Sequence, residues 1–152
     1  NNLICVAPDV GGVERARALS RRINVGIAII DKRRPTPGKS EVMNIVGNVK
    51  NKICVIVDDI IDSGGTIVNA AKALKDKGAK EIYVYITHAV LSGSAVDKIK
   101  ESQIKKLIIT DTIDNSKKIK ISKKIEVISF APMISEAIKR ISNSTSVSSL
   151  FK

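Results

Sequence analysis

Residues 55–68 read VIVDDIIDSGGTIV: an apolar run, carboxylates at Asp58, Asp59 and Asp62, then Ser63, Gly64, Gly65 and Thr66 opening an amphipathic stretch. Paired glycines remove the Cβ groups that would hold a ligand off the backbone, and successive N–H groups there form an anion nest. A helix starting near Thr66 adds unpaired donors and the positive end of its dipole. The hydroxyls of Ser63 and Thr66 supply further donors. Walker-type phosphate loops place a lysine at this point, and this stretch has none. Ionised Asp58 and Asp59 can only accept hydrogen bonds, so they suit vicinal sugar hydroxyls or a magnesium shell. A ribose phosphate meets both demands, with its phosphate on the nest and its diol on the acids. A bare strand–turn–helix junction capped by Asp62 or Ser63 would account for the glycines, but not for adjacent Asp58 and Asp59.

The same plan occurs earlier. LICVAPDVGGVERA also runs apolar strand, acid, two glycines, helix, which makes Asp9 with Gly11 and Gly12 a second candidate loop. In an open parallel sheet the C-terminal ends of the strands open onto one rim, where ligands sit. Asp9 is therefore expected to share a crevice with Asp58, Asp59 and the 62–66 loop. His88 ends the next apolar run and is expected near that rim, although a lone polar residue is a weak signal without geometry. Between them, KRRPTPGK (32–39) holds four cations and two prolines. It reads either as a solvated connector or as a lid whose cations neutralise charge on a polyphosphate.

The elements that must position these residues follow from periodicity. Ile- and Val-rich runs at 3–7, 25–30, 53–57, 81–87, 106–110 and 125–130 alternate with amphipathic stretches at 13–23, 66–78, 94–102 and 132–143. Continuous apolar strands alternating with helices indicate a parallel sheet covered on both faces. Residues 31–50 and 111–124 break the rhythm. No Pro/Gly/Ser linker divides residues 1–152, so a single α/β domain is expected.

Composition narrows the classes. A chain of 152 residues with 43% hydrophobic content can bury an ordinary core. No window approaches a membrane span, and no charged-then-apolar leader is seen. A net charge of +11 invites an anionic partner, but 3% aromatic content leaves little with which to stack single-stranded nucleic acid. The lysine run KKIKISKK (117–124) reads as a solvated face. Cys5 and Cys54, each inside an apolar run, read as buried thiols in a reducing compartment. The chain begins at Asn1 rather than a methionine and is read as part of a longer protein.

VIVDDIIDSGGTI resembles the phosphoribosyl-pyrophosphate-binding motif of type I phosphoribosyltransferase folds. Together with IAIIDKRRPTPGKSEVMNIVGNV, APDVGGVERARALS, THAVLSGSAV and SVSSLF, it resembles the C-terminal half of the ribose-phosphate diphosphokinase (phosphoribosyl pyrophosphate synthetase) family, almost end to end. Ala89 and Ser94 stand where many members have proline, and Gly38–Lys39 make the loop more basic. The resemblance implies a cytoplasmic enzyme of nucleotide biosynthesis. It would move the diphosphoryl group of ATP to ribose 5-phosphate, with the N-terminal half of the site absent here.

The resemblance further implies that Asp62, Ser63, Gly64, Gly65 and Thr66 hold the 5-phosphate and that Asp58 and Asp59 hold the ribose hydroxyls. Lys32 and Arg34 would be catalytic, with Arg34 also touching substrate, and residues 41–47 would be the return of the mobile loop. Asp9 would belong to a Mg2+ site whose histidine partner lies in the missing half. Ser146, Val147, Ser148 and Phe151 would help form a regulatory site for phosphate or ADP between subunits of a homo-hexamer. A free-standing phosphoribosyltransferase and a non-catalytic regulatory or nucleic-acid-binding domain are the alternatives. The first needs a hood for a base, and no segment is left to build one.

Overall fold

A computed structural model describes residues 2–33 and 42–151. β-Branched residues, stiff at χ1, favour strands, and they dominate the inner ones here. In chain order the elements are β1 (Leu3–Ala7), α1 (Val13–Arg22), β2 (Gly26–Arg33), β3 (Val42–Val46), β4 (Ile53–Ile61) and α2 (Gly65–Asp76). Then come β5 (Glu81–Ala89), α3 (Ala95–Glu101), β6 (Lys106–Thr110), β7 (Ile125–Ile128) and α4 (Ala131–Ser142). The strands make one sheet in the order β3-β2-β1-β4-β5-β6-β7, parallel throughout except where β3 runs against β2. This is the α/β architecture expected.

The order of the strands decides where the site can be. From β1 the chain moves outward to β2; from β4 it moves outward in the other direction, to β5, β6 and β7. The reversal falls between β1 and β4, which pair in parallel from Leu3↔Ile53 to Val6↔Ile56. At such a switch point the helices leave on opposite faces and a crevice opens beyond the strand ends. Here α1 packs against β1, β2 and β4, while α2 packs on the far side with α3. Ile4, Val6, Cys54, Ile56, Ile82 and Val84 face α2, whose Ile67, Ala70, Ala71 and Leu74 complete the same core. The pleat turns Cys5, Ala7 and Val55 to the other face, the side of buried Ala16 in α1. Helices therefore cover both faces, as the continuous apolar runs require.

Two boundaries differ from expectation. The 31–50 link contains β3, an edge strand pairing from Ile29↔Val46 to Arg33↔Val42. Only one of its faces packs on the core, so Asn44 can interrupt the apolar run, and the continuous pattern of the inner strands is missing. Strand β4 also continues past Val57 to Ile61, held by pairing with β5 as far as Ile61↔Ala89. Asp58 and Asp59 thus stand on a strand rather than in a loop.

The lysine-rich stretch is largely exposed, and it also ties loops together. Lys118 Nζ donates to the carbonyls of Val90 and Leu91 at 3.1 Å, and Lys124 Nζ donates to that of Ser102 at 2.7 Å. Both cysteines are free and buried; burial pushes the Cys54 thiol up to about 11, with Lys52 pulling it back slightly. Such thiols are poor nucleophiles. None of the residues of α4 is buried, although Ile134, Ile138 and Ile141 lie along it. Among the described residues no helix is long and apolar enough to cross a membrane.

Candidate functional site

After Ile61 the chain leaves β4 through Asp62, Ser63 and Gly64 and enters α2 at Gly65. Gly64 is the residue preceding the helix, at φ +77°, in the left-handed region where a Cβ is strained. Neither Asp62 nor Ser63 caps α2, contrary to the junction reading, and no side-chain cap bond is made. The first N–H groups of the helix therefore keep their donors for another partner. A Cβ on Gly65 would meet nothing within 4 Å, so open space lies over the first turn.

That space is a cavity of about 220 Å³ lined by Asp9, Asp58, Asp62, Ser63, Gly64, Gly65 and Thr66, with Ile60, Ile61 and Ile67 beneath. Of the β1 glycine loop, Asp9 reaches this cavity and meets the 62–66 loop there. Asp9 follows β1, and its Oδ1 accepts the N–H of Gly12 at 2.9 Å, closing the turn into α1. A Cβ on Gly12 would come within 3.2 Å of Pro8 Cδ, so glycine permits this tight approach.

Asp59 is not in the lining. It stands beside the cavity, more exposed than Asp58, and the two acids are joined by Arg15 of α1. Arg15 Nη1 donates to Asp58 Oδ1 and Nη2 to Asp59 Oδ2, both at 2.7 Å. Asp58 Oδ1 also accepts the N–H of Asp59 at 3.0 Å. Burial raises the Asp58 carboxyl above its ordinary value; the Asp59 N–H and the Arg15 charge pull it back, and the Asp59 carboxylate opposes them. For Asp59 burial is the largest single influence and pushes upward, but the Arg15 charge, the neighbouring Asp58 carboxyl and the local backbone N–H groups together outweigh it, so it lies below its ordinary value. Two adjacent carboxyls are thus separated in acidity by burial.

Sequence reasoning missed Arg15 and Lys98. Arg15 lies 43 residues from Asp58, and no local spacing connects them. Its one signal is a cation on the turn that follows a glycine loop. Lys98 Nζ, from α3, donates to the carbonyl of Ser63 at 3.3 Å and brings a positive charge beside the nest.

Other expected residues lie apart from the cavity. His88, opposite Ile60 on β5, points its Nδ1 to Thr112 Oγ1 at 3.0 Å and does not line the cavity. Lys32 stands on β2 opposite Met43, where β2 continues past Ile29, the partner of Ala7. Arg34 and the rest of the 34–41 loop lie outside the described residues, as does the side chain of Phe151. Ser146, Val147 and Ser148 follow α4, where Arg140 donates to the Ser146 carbonyl at 3.3 Å and to the Ser149 hydroxyl. None of them lines the cavity. Among the described residues no group of three or more His, Cys, Asp or Glu could hold a metal ion.

A family model described as "Phosphoribosyl synthetase-associated domain" matches residues 33–152. Ribose-phosphate pyrophosphokinases from Agrobacterium fabrum and Caulobacter vibrioides are 52% and 53% identical over 99% of this chain, which covers 49% of each. The chain therefore spans about half the length of the curated relatives it matches. The crystal structure of phosphoribosylpyrophosphate synthetase from Mycobacterium smegmatis aligns over 94% of this chain and 46% of that one, with TM-score 0.84 and 33% identity. A purine phosphoribosyltransferase from Pyrococcus horikoshii, at TM-score 0.52 and 21% identity over 85% of this chain and 75% of its own, shares the fold.

Proposed function

Because the chain belongs to the phosphoribosyl synthetase-associated domain family, we propose that it is the C-terminal half of a ribose-phosphate diphosphokinase. That enzyme transfers the diphosphoryl group of ATP to the anomeric hydroxyl of ribose 5-phosphate, giving 5-phosphoribosyl 1-diphosphate and AMP. The observation that carries this reading is one small cavity holding an uncapped helix start, a glycine nest and the carboxylates of Asp9, Asp58 and Asp62, with that of Asp59 beside it. The nest and the Ser63 and Thr66 hydroxyls suit the 5-phosphate, and Asp58 and Asp59 suit the ribose hydroxyls. Sugar and phosphate are thereby fixed at both ends, which orients the anomeric hydroxyl without touching it.

Lys32 and Arg34 are assigned to the transfer step, their charges offsetting the negative charge that builds on the departing AMP. Asp9 is the one acid at the β1 loop, and a single carboxylate fits Mg2+, which takes most of its shell from water and phosphate oxygens. When bound, Mg2+ would neutralise phosphate charge. The tail residues Ser146, Val147, Ser148 and Phe151 remain assigned to effector binding by phosphate or ADP, and the hexamer to assembly, on resemblance alone.

Calorimetry tests the sugar site. Ribose 5-phosphate should bind more tightly than inorganic phosphate, and Asp59→Ala and Thr66→Ala should each cost roughly 1–3 kcal/mol of ribose 5-phosphate affinity. Unchanged affinity in both variants would move the ligand elsewhere.

A further inference from the structure

The ribose 5-phosphate reading leaves a geometrical problem. Adjacent residues of a strand point to opposite faces of the sheet, so Asp58 and Asp59 should diverge rather than converge on one sugar. Two neighbouring carboxylates also repel each other. Both difficulties are met by the same side chain. Arg15 gives one guanidinium nitrogen to each acid, Nη1 to Asp58 and Nη2 to Asp59, each at 2.7 Å.

Resting on that reading, we propose that Arg15 is the positioning residue of the acid pair. Its planar fork engages Asp58 Oδ1 and Asp59 Oδ2 and presents the other oxygen of each acid as paired acceptors for a vicinal diol. Arg15 does not line the nest cavity. It lines a neighbouring cavity of about 290 Å³ with Val57, Tyr85, Ile108 and Ile128, and Asp58 lies in the wall between the two. It therefore acts on the acids from behind, leaving the sugar side open.

The fork is itself held in place. Arg15 sits in the first turn of α1, whose start is fixed by the Gly12-to-Asp9 bond and by the approach of Gly12 to Pro8. Through Arg15, the β1 glycine loop sets the geometry of the β4 acids. A lysine carries the same charge on one nitrogen, without a planar fork to span both carboxylates.

The test compares the unmodified chain with Arg15→Leu and Arg15→Lys by calorimetry, using ribose 5-phosphate, 2-deoxyribose 5-phosphate and inorganic phosphate. The unmodified chain should prefer ribose 5-phosphate to its 2-deoxy analogue. Arg15→Leu should lower ribose 5-phosphate affinity by about tenfold or more and abolish that preference, with phosphate affinity little changed and the melting temperature lowered by the loss of the ion pairs to both acids. Arg15→Lys should not restore the preference, and it carries the test should the leucine variant fail to fold. Retention of the preference in the folded variants overturns the role of Arg15 while leaving the sugar site intact. An unmodified chain that binds ribose 5-phosphate no better than phosphate overturns the site reading itself, and the role of Arg15 with it.

Discussion

Asp58 is the half-buried member of an acid pair, and its raised pKa gives the site a pH dependence of known sign. A ligand that needs Asp58 ionised loses affinity as pH falls through a value above the ordinary 3.8, because burial holds the proton on more tightly. Ribose 5-phosphate titrations across the acid range should therefore show a midpoint above 3.8, and a midpoint at or below it would contradict the burial account. For stability the signs differ between the acids. The Asp58 contribution is present below its unfolded value and is lost as pH rises through the folded one. That of Asp59 is present above its unfolded value and is lost as pH falls through the folded one. The glycines separate in the same way. Gly64→Ala should cost roughly 1–2 kcal/mol of stability from left-handed strain, read by denaturant unfolding. Gly65→Val should leave stability within about 0.5 kcal/mol and block the anion site. At this scale the nest and the acids were legible because their chemistry is local in sequence. Arg15 was not, since only folding brings α1 to β4.

At the scale of elements, Ile/Val-rich runs marked six strands, including the edge strand β7 despite its Glu126. β3 escaped notice because Asn44 splits its short apolar run into pairs, and the end of β4 because pairing with β5 carries it through two carboxylates. The residues turned toward α2 hold these strands in register. Ile56, wholly buried opposite Val6 and between β1 and β5, is the central test. Ile56→Ala should cost about 2–5 kcal/mol in denaturant unfolding, from lost transfer energy plus a cavity. Ile138→Ala on exposed α4 should cost about 0.5 kcal/mol or less. Equal effects would mean that the core does not lie where the sheet and α2 meet.

For the whole molecule, topology makes the site. Because strand order reverses between β1 and β4, their two following loops must open into one crevice, which is why Asp9 and the 62–66 nest meet although far apart in sequence. The repeated acid–glycine–glycine plan made that meeting legible; the reversal itself was not, because strand order leaves no local trace. The same view sets a limit on activity. On the proposed reading, this chain supplies the sugar-phosphate half of the site: Asp58, Asp59 and the Asp62–Thr66 nest. With ATP, Mg2+ and ribose 5-phosphate, the isolated 152-residue chain is expected to form no AMP above background while still binding the sugar phosphate. AMP formation by the chain alone would place the ATP site within it. The most direct test of the central claim is a crystal structure of the chain with ribose 5-phosphate. The account predicts the phosphate within hydrogen-bond reach of the Ser63–Thr66 N–H groups and the ribose hydroxyls on Asp58 and Asp59. A sugar phosphate bound elsewhere, or turned with its hydroxyls toward the nest, would contradict it.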